Sequence, residues 1–84
     1  MHKSPDHAVS LPIGSMANAK ALGQQVRAAR RTAGLTQQDL ADACGVGRRF
    51  ISELESGKPT ARLGLALNVI QNLGLSLRIE KRDA

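Results

Sequence analysis

The sequence predicts a mainly α fold: four to five short helices, then a short C-terminal β-strand that pairs across a dimer. Three observations carry the prediction. Apolar residues recur at three-to-four spacing through Leu22–Ala33, Ile51–Leu54 and Leu63–Leu73, the period of a helix with one buried face. A glycine follows each helical segment, at Gly34, Gly45, Gly57 and Gly74, where a chain leaving a helix most often turns back. After Gly74 the period drops to two, the signature of a strand.

A chain of 84 residues makes one small domain. With one Phe and no Trp or Tyr, its core must be Leu, Ile, Val and Ala. The same shortage argues against modules that stack single-stranded bases on aromatic rings. Twelve Lys/Arg against seven Asp/Glu give a net charge of +5, which favours a polyanionic partner. No apolar run approaches the roughly 20 residues that span a bilayer, and the N-terminus lacks a signal-peptide apolar core. Cys44 is alone, so no internal disulfide forms and the cytoplasm is the expected compartment. Its apolar neighbours make it a small buried hydrophobe. His2 and His7 have no further His or Cys nearby, so neither metal nor cofactor is expected.

Residues 1–17 carry two Pro, two His and three Ser without a helical or strand period and read as a flexible tail. The domain proper is 18–74, and 75–84 hold the dimerisation strand and its tail. The first helix should run from about Ala19 to Ala33 behind Asn18 as N-cap, with Leu22, Val26, Ala29 and Ala33 inward. The second begins after Thr36, with Asp39 closing a weak capping box, and buries Leu40 and Ala41. Val46 fills the corner that follows Gly45. The third runs from about Arg48 to Ser56 behind Gly47, with Ile51 and Leu54 inward. The fourth runs from about Ala61 to Leu73 behind Thr60. Leu63, Ala66, Leu67, Ile70 and Leu73 form its main stripe, and Leu65 and Val69 add a second apolar edge. In the strand, Leu75, Leu77 and Ile79 face one way. A lone strand has nothing to pair with in its own chain, and an open apolar edge invites aggregation. Pairing with the same strand of a second copy resolves this, placing Leu75, Leu77, Ile79, Leu65 and Val69 at a dimer interface.

Residues 36–57 carry the chemistry. Two short helices joined by a tight glycine turn, the second opening with two arginines, form a helix-turn-helix. The DNA major groove admits one helix, and side chains near its N-terminus reach base edges. Arg48 and Arg49 lead that helix, with Arg suited to bidentate bonds with guanine. Ser52 is one turn on. Glu53 can accept from cytosine or orient an Arg. The start of the second helix offers N–H groups and Gln37 to a phosphate, and Lys58 and Arg62 can anchor another.

Leu35-Thr36-Gln37-Gln38-Asp39-Leu40-Ala41, Gly45-Val46 and Phe50-Ile51-Ser52-Glu53-Leu54-Glu55-Ser56-Gly57-Lys58-Pro59 closely resemble the phage-repressor/Cro-like (XRE-like) helix-turn-helix family over residues 20–74. The resemblance implies a lambda-repressor-like fold. It implies base contacts from Arg48, Arg49, Ser52 and Glu53, a phosphate contact from Gln37, and a structural salt bridge between Arg30 and Glu55. Within that family, residues 49–55, Lys58-Pro59-Thr60-Ala61-Arg62 and the strand look most like HipB-type antitoxins. Those are dimeric repressors that also neutralise a HipA-like serine/threonine kinase toxin. Gly47 departs from the usual Ser or Thr cap. The function expected is a homodimeric repressor of a palindromic double-stranded DNA operator, doubling as antitoxin. Two alternatives stay open: a stand-alone phage-type or restriction-control regulator, and a protein-interaction adapter without DNA binding. An enzyme is not expected, since no nucleophile–base set or phosphate-binding glycine loop is present.

Overall fold

A computed structural model describes residues 8–9, 16–79 and 81. The elements are β1 (Ala8–Val9), α1 (Met16–Thr32), α2 (Gln37–Cys44), α3 (Arg48–Ser56), α4 (Leu63–Asn72) and β2 (Ser76–Leu77). The expectations for residues 1–7 and 10–15, including His2 and His7, lie outside the described residues.

The bounds of α2 and α3 follow from local chemistry. Thr36 Oγ1 accepts from the Asp39 N–H at 3.0 Å, and an Asp39 carboxylate oxygen accepts from the Thr36 N–H at 2.9 Å. This reciprocal box satisfies two of the donors that every helix start leaves open. Gly45 ends α2 at φ 70°, a left-handed conformation that costs other residues about 1–2 kcal/mol. Val46 N–H then returns to the Ala41 carbonyl at 3.0 Å, turning the chain sharply into α3. Gly47 caps α3 with no side-chain bond.

The core is Val26, Leu40, Ala41, Ile51, Leu54, Ala66, Val69 and Ile70, flanked by Leu22, Cys44, Val46, Phe50, Ala61, Leu73, Leu75 and Leu77. Of these, Val26, Leu40, Ile51 and Val69 are the largest side chains sealed completely, each worth on the order of 1.5–3 kcal/mol of burial. Two glycines let α1 press against α3. A Cβ on Gly23 would run into the Leu54 carbonyl oxygen and lie 2.7 Å from that of Glu55, and one on Gly57 would lie 2.6 Å from Lys20 Cα. No real Cβ tolerates either contact.

Three expectations need correction. First, α1 spans 16–32, so Asn18 lies inside the helix rather than at its N-cap, and Ala33 is exposed beyond its end rather than on the apolar stripe.

Second, α4 starts at Leu63, with Arg62 rather than Thr60 at the cap and no side-chain bond there. The Ala61 N–H bonds the Lys58 carbonyl at 3.3 Å, so Pro59 and Thr60 are spent on a turn. The helix is also rotated from the expected stripe. Leu63 and Leu67 are 69% and 37% exposed, whereas Val69 is fully buried. In this rotation the Asn68 amide donates to the Cys44 carbonyl at 2.9 Å and closes the end of α2. Val69 therefore packs inside its own chain rather than against a second copy, and Leu65 is half-buried.

Third, the C-terminal strand has a partner in its own chain. Ala8–Val9 pair with it in parallel, Ala8 opposite Ser76 and Val9 opposite Leu77. The regular strand is shorter than the expected 75–80. Leu75 and Leu77 pack partly on the core, but Ile79 is 94% exposed.

Among the described residues no helix is long and apolar enough to cross a membrane.

Candidate nucleic-acid interface

The interface is organised from a buried ion pair outward. Arg30 on α1 grips Glu55 on α3 with Nε to Oε2 at 2.6 Å and Nη2 to Oε1 at 3.1 Å. Its remaining Nη1 donates to the Leu35 carbonyl at 2.8 Å. The two side chains are only 10% and 4% exposed. The hydrogen bond from Arg30 to Glu55 raises the guanidinium pKa above its ordinary value, against the opposing effect of burial. A two-pronged fork of this kind fixes orientation as well as distance, and it locks α1 to α3.

Gln37 carries that order to the surface. Its Nε2 donates to Glu55 Oε1 at 3.1 Å, and its Oε1 accepts from Arg48 Nη1 at 3.3 Å. A line of polar contacts thus runs from buried Arg30 through Glu55 and Gln37 to Arg48 at the exposed head of α3. The sequence suggests that Gln37 meets a phosphate directly. Its side-chain amide carries a second N–H beyond the one given to Glu55, and that N–H lies beside the backbone N–H groups at the start of α2.

A second group forms along the outer edge of α3. Glu53 Oε2 lies 3.3 Å from Arg49 Nε and 3.3 Å from Lys58 Nζ. These cations, Lys58 first, hold the Glu53 carboxyl below its usual range. Arg49 remains 90% exposed at its side chain, and Arg62 is exposed at the start of α4.

Between α1, α2 and α3 an open depression of about 370 Å³ is lined by Arg27, Arg30, Gln37, Ser52, Glu55 and Ser56. It brings together Ser52 and Gln37, which the sequence names separately, and adds Arg27 and Ser56, which the sequence did not single out for the interface. Arg27 sits three residues before Arg30, the spacing that puts two residues on one helix face, and that spacing is the available signal. With Arg30 already neutralised by Glu55, exposed Arg27 supplies positive charge and Ser52 supplies a hydroxyl donor, while the Ser56 hydroxyl donates to the Glu53 carbonyl at 2.9 Å. A phosphate oxygen suits such a surface.

The helix-turn-helix family profile matches residues 26–79. The chain belongs to the helix-turn-helix family. It is also 50% identical over 58 residues to an uncharacterized HTH-type transcriptional regulator, y4mF, of Sinorhizobium fredii (strain NBRC 101917 / NGR234), covering 69% of this chain and 76% of that protein. In this helix-turn-helix, α2 and α3 are the motif helices, Gly45 is the turn glycine, and Arg48 and Arg49 open the second motif helix. The broader of the two resemblances in the sequence, to the XRE-like family, therefore stands.

Proposed function

We propose that the chain is a homodimeric, sequence-specific transcriptional repressor of double-stranded DNA. Family membership and the transcriptional-regulator relative support DNA-binding regulation as the class. The carrying observation is the head of α3, where Arg48 is braced through Gln37 and Arg49 stands exposed beside it. On this reading α3 enters the major groove and the two arginines meet base edges, with Ser52 following. Lys58, Arg62, Gln37 and the backbone at the start of α2 take phosphates. Two further observations support dimerisation. Among the described residues only one edge of β2 is covered, by β1. Exposed Leu63, Leu67 and Ile79 supply apolar surface. A two-fold dimer would read a palindrome with half-sites about one helical turn apart.

The resemblance to HipB-type antitoxins supports a finer role: a cytoplasmic antitoxin that represses its own operon and neutralises a HipA-like serine/threonine kinase. A second reading, a stand-alone regulator without a toxin partner, rests on the transcriptional-regulator class alone.

A gel-shift and footprint on the chain's own promoter, repeated across salt, tests the DNA reading. The expected result is one protected palindrome and an affinity that falls steeply with salt through counterion release. Arg49→Ala should relax discrimination at one base position by about 1–3 kcal/mol. If Arg48→Ala and Arg49→Ala both leave operator affinity and specificity intact, α3 is not the reading helix. Copurification of a kinase with the chain expressed from its own operon separates antitoxin from stand-alone regulator.

A further inference from the structure

The cationic edge of α3 carries one carboxylate whose position is built rather than incidental. The left-handed turn at Gly57 (φ 87°) brings the Gly57 and Lys58 N–H groups back to the Glu53 carbonyl, the latter at 3.1 Å. Ser56 Oγ donates to the same carbonyl at 2.9 Å. That turn folds Lys58 over the end of α3, where its Nζ reaches Glu53 Oε2. Arg49, one turn earlier on the helix, reaches the same oxygen from the other side. Glu53 is the most sheltered of the three side chains, at 33% exposure against 47% for Lys58 and 90% for Arg49.

Exposed ion pairs of this kind add little to stability, so their value lies elsewhere. Arg49 is held through Nε. An arginine can present two forks: the side-on pair of Nε with one Nη, and the end-on pair of the two Nη groups. Glu53 occupies Nε and leaves the end-on fork aimed outward, which can span O6 and N7 of a guanine. It also sets negative charge between two cations that would otherwise accept any phosphate.

We propose that Glu53 is a positioning and specificity-determining residue: it holds Arg49 for end-on guanine reading and screens Arg49 and Lys58 from indiscriminate phosphate binding. This rests on the DNA-binding reading above and replaces a direct base contact by Glu53. A phosphate that pairs with Arg49 or Lys58 must sit beside the Glu53 carboxylate and is repelled by it, whereas a guanine edge is neutral and leaves the Nε contact in place. Discrimination therefore arises partly from weakened binding to wrong sites.

The test compares full-length wild-type chain, Glu53→Gln and Glu53→Asp by fluorescence anisotropy. Each is titrated on its promoter operator and on a scrambled duplex of equal length, from low to moderate salt. Glu53→Gln should bind the scrambled duplex more tightly, about tenfold at low salt. Its log K against log salt slope should steepen by about 1 to 2 per protomer, near 0.9 for each additional phosphate neutralised. The operator-to-scrambled ratio should fall. Glu53→Asp keeps the charge and should stay close to the wild-type slope. Unchanged scrambled binding and slope in Glu53→Gln overturns the proposal. So does loss of operator affinity with scrambled binding intact, the behaviour of a base reader. If wild type shows no salt-sensitive complex on either duplex, the DNA-binding reading itself has failed, and the proposal falls with it.

Discussion

Glu55 and Glu53 lie two residues apart on α3, one turned inward and the other outward, and each gathers donors from more than one element. Glu55 is 4% exposed at its side chain and takes two bonds from Arg30 and one from Gln37. Glu53 is 33% exposed and takes Arg49 and Lys58 at 3.3 Å each. Both are carboxylates beside an arginine, yet water makes them different devices. Around Glu55 water is excluded, so its partners must stay and the arrangement sets the angle between helices. Around Glu53 water competes with every contact, so the partners can be exchanged for another ligand. One helix thus carries a fixed joint and a releasable clamp, and periodicity decides which is which.

The comparison predicts its largest contrast in stability. Arg30→Ala leaves Glu55 buried without its main partner and should destabilise the fold by about 3–5 kcal/mol, read as the shift in urea denaturation. Glu53→Gln in the same assay should leave the midpoint near wild type. Comparable losses from both substitutions would break the distinction between joint and clamp.

Gly23→Ala probes the joint from its other side. The added methyl meets the carbonyl oxygens of Leu54 and Glu55 and must push α1 from α3. Overpacking at such a contact costs about 1–3 kcal/mol. Because Arg30 rides on the displaced helix, the variant should also loosen the grip on Glu55. Adding Arg30→Ala to Gly23→Ala should then cost less than the sum of the two single losses. Full additivity would mean that the glycine contact and the ion pair act independently.

Gln37 is where joint and interface meet, since it bonds both Glu55 and Arg48. Gln37→Ala should cost about 1 kcal/mol of stability and also weaken operator binding, because Arg48 loses its brace. If operator affinity is untouched while Arg48→Ala reduces it, the line of contacts from the buried pair to Arg48 has no role in reading.

Much of the joint is legible in the sequence, but only half of the clamp. Thr36, Asp39, Gly45, Gly47 and Gly57 act within a few residues of themselves, so the bounds of α2 and α3 follow from local chemistry. The exposure of Arg48 and Arg49 follows from the inward spacing of Ile51 and Leu54. The rotation of α4 does not, because its apolar residues support two stripes. The stripe adopted buries Ala66, Val69 and Ile70 and lets Asn68 reach Cys44 across the fold, a contact no local pattern signals. The pairing of Ala8–Val9 with Ser76–Leu77 is equally hidden: two residues carry no period, and their partner lies at the other end of the chain. Half of the clamp escapes for the same reason: Arg49 and Glu53 are four apart and the sequence already suggests that Glu53 orients an Arg, but the Lys58 contact is not foreseen. Glu53 and Lys58 are five apart, beyond ordinary helix spacing, and only the left-handed turn at Gly57 closes the gap.

Asp39 sharpens the comparison, because it is exposed yet structural. Its carboxylate accepts from the Thr36 backbone N–H, a donor that cannot swing away as a lysine can. The releasable character of Glu53 therefore comes from mobile partners as well as from water. The Thr36 N–H holds the Asp39 pKa below its ordinary value of 3.8. A carboxylate with a lowered folded pKa favours the folded state fully above its ordinary value and loses that contribution as pH falls through the folded one. Wild type should therefore exceed Asp39→Ala in denaturation midpoint at pH 6. The gap should narrow below about pH 4 and close once Asp39 is protonated in the folded chain. The effect is the smallest of the series. A gap that persists unchanged into strong acid would show that Asp39 acts through something other than its charge.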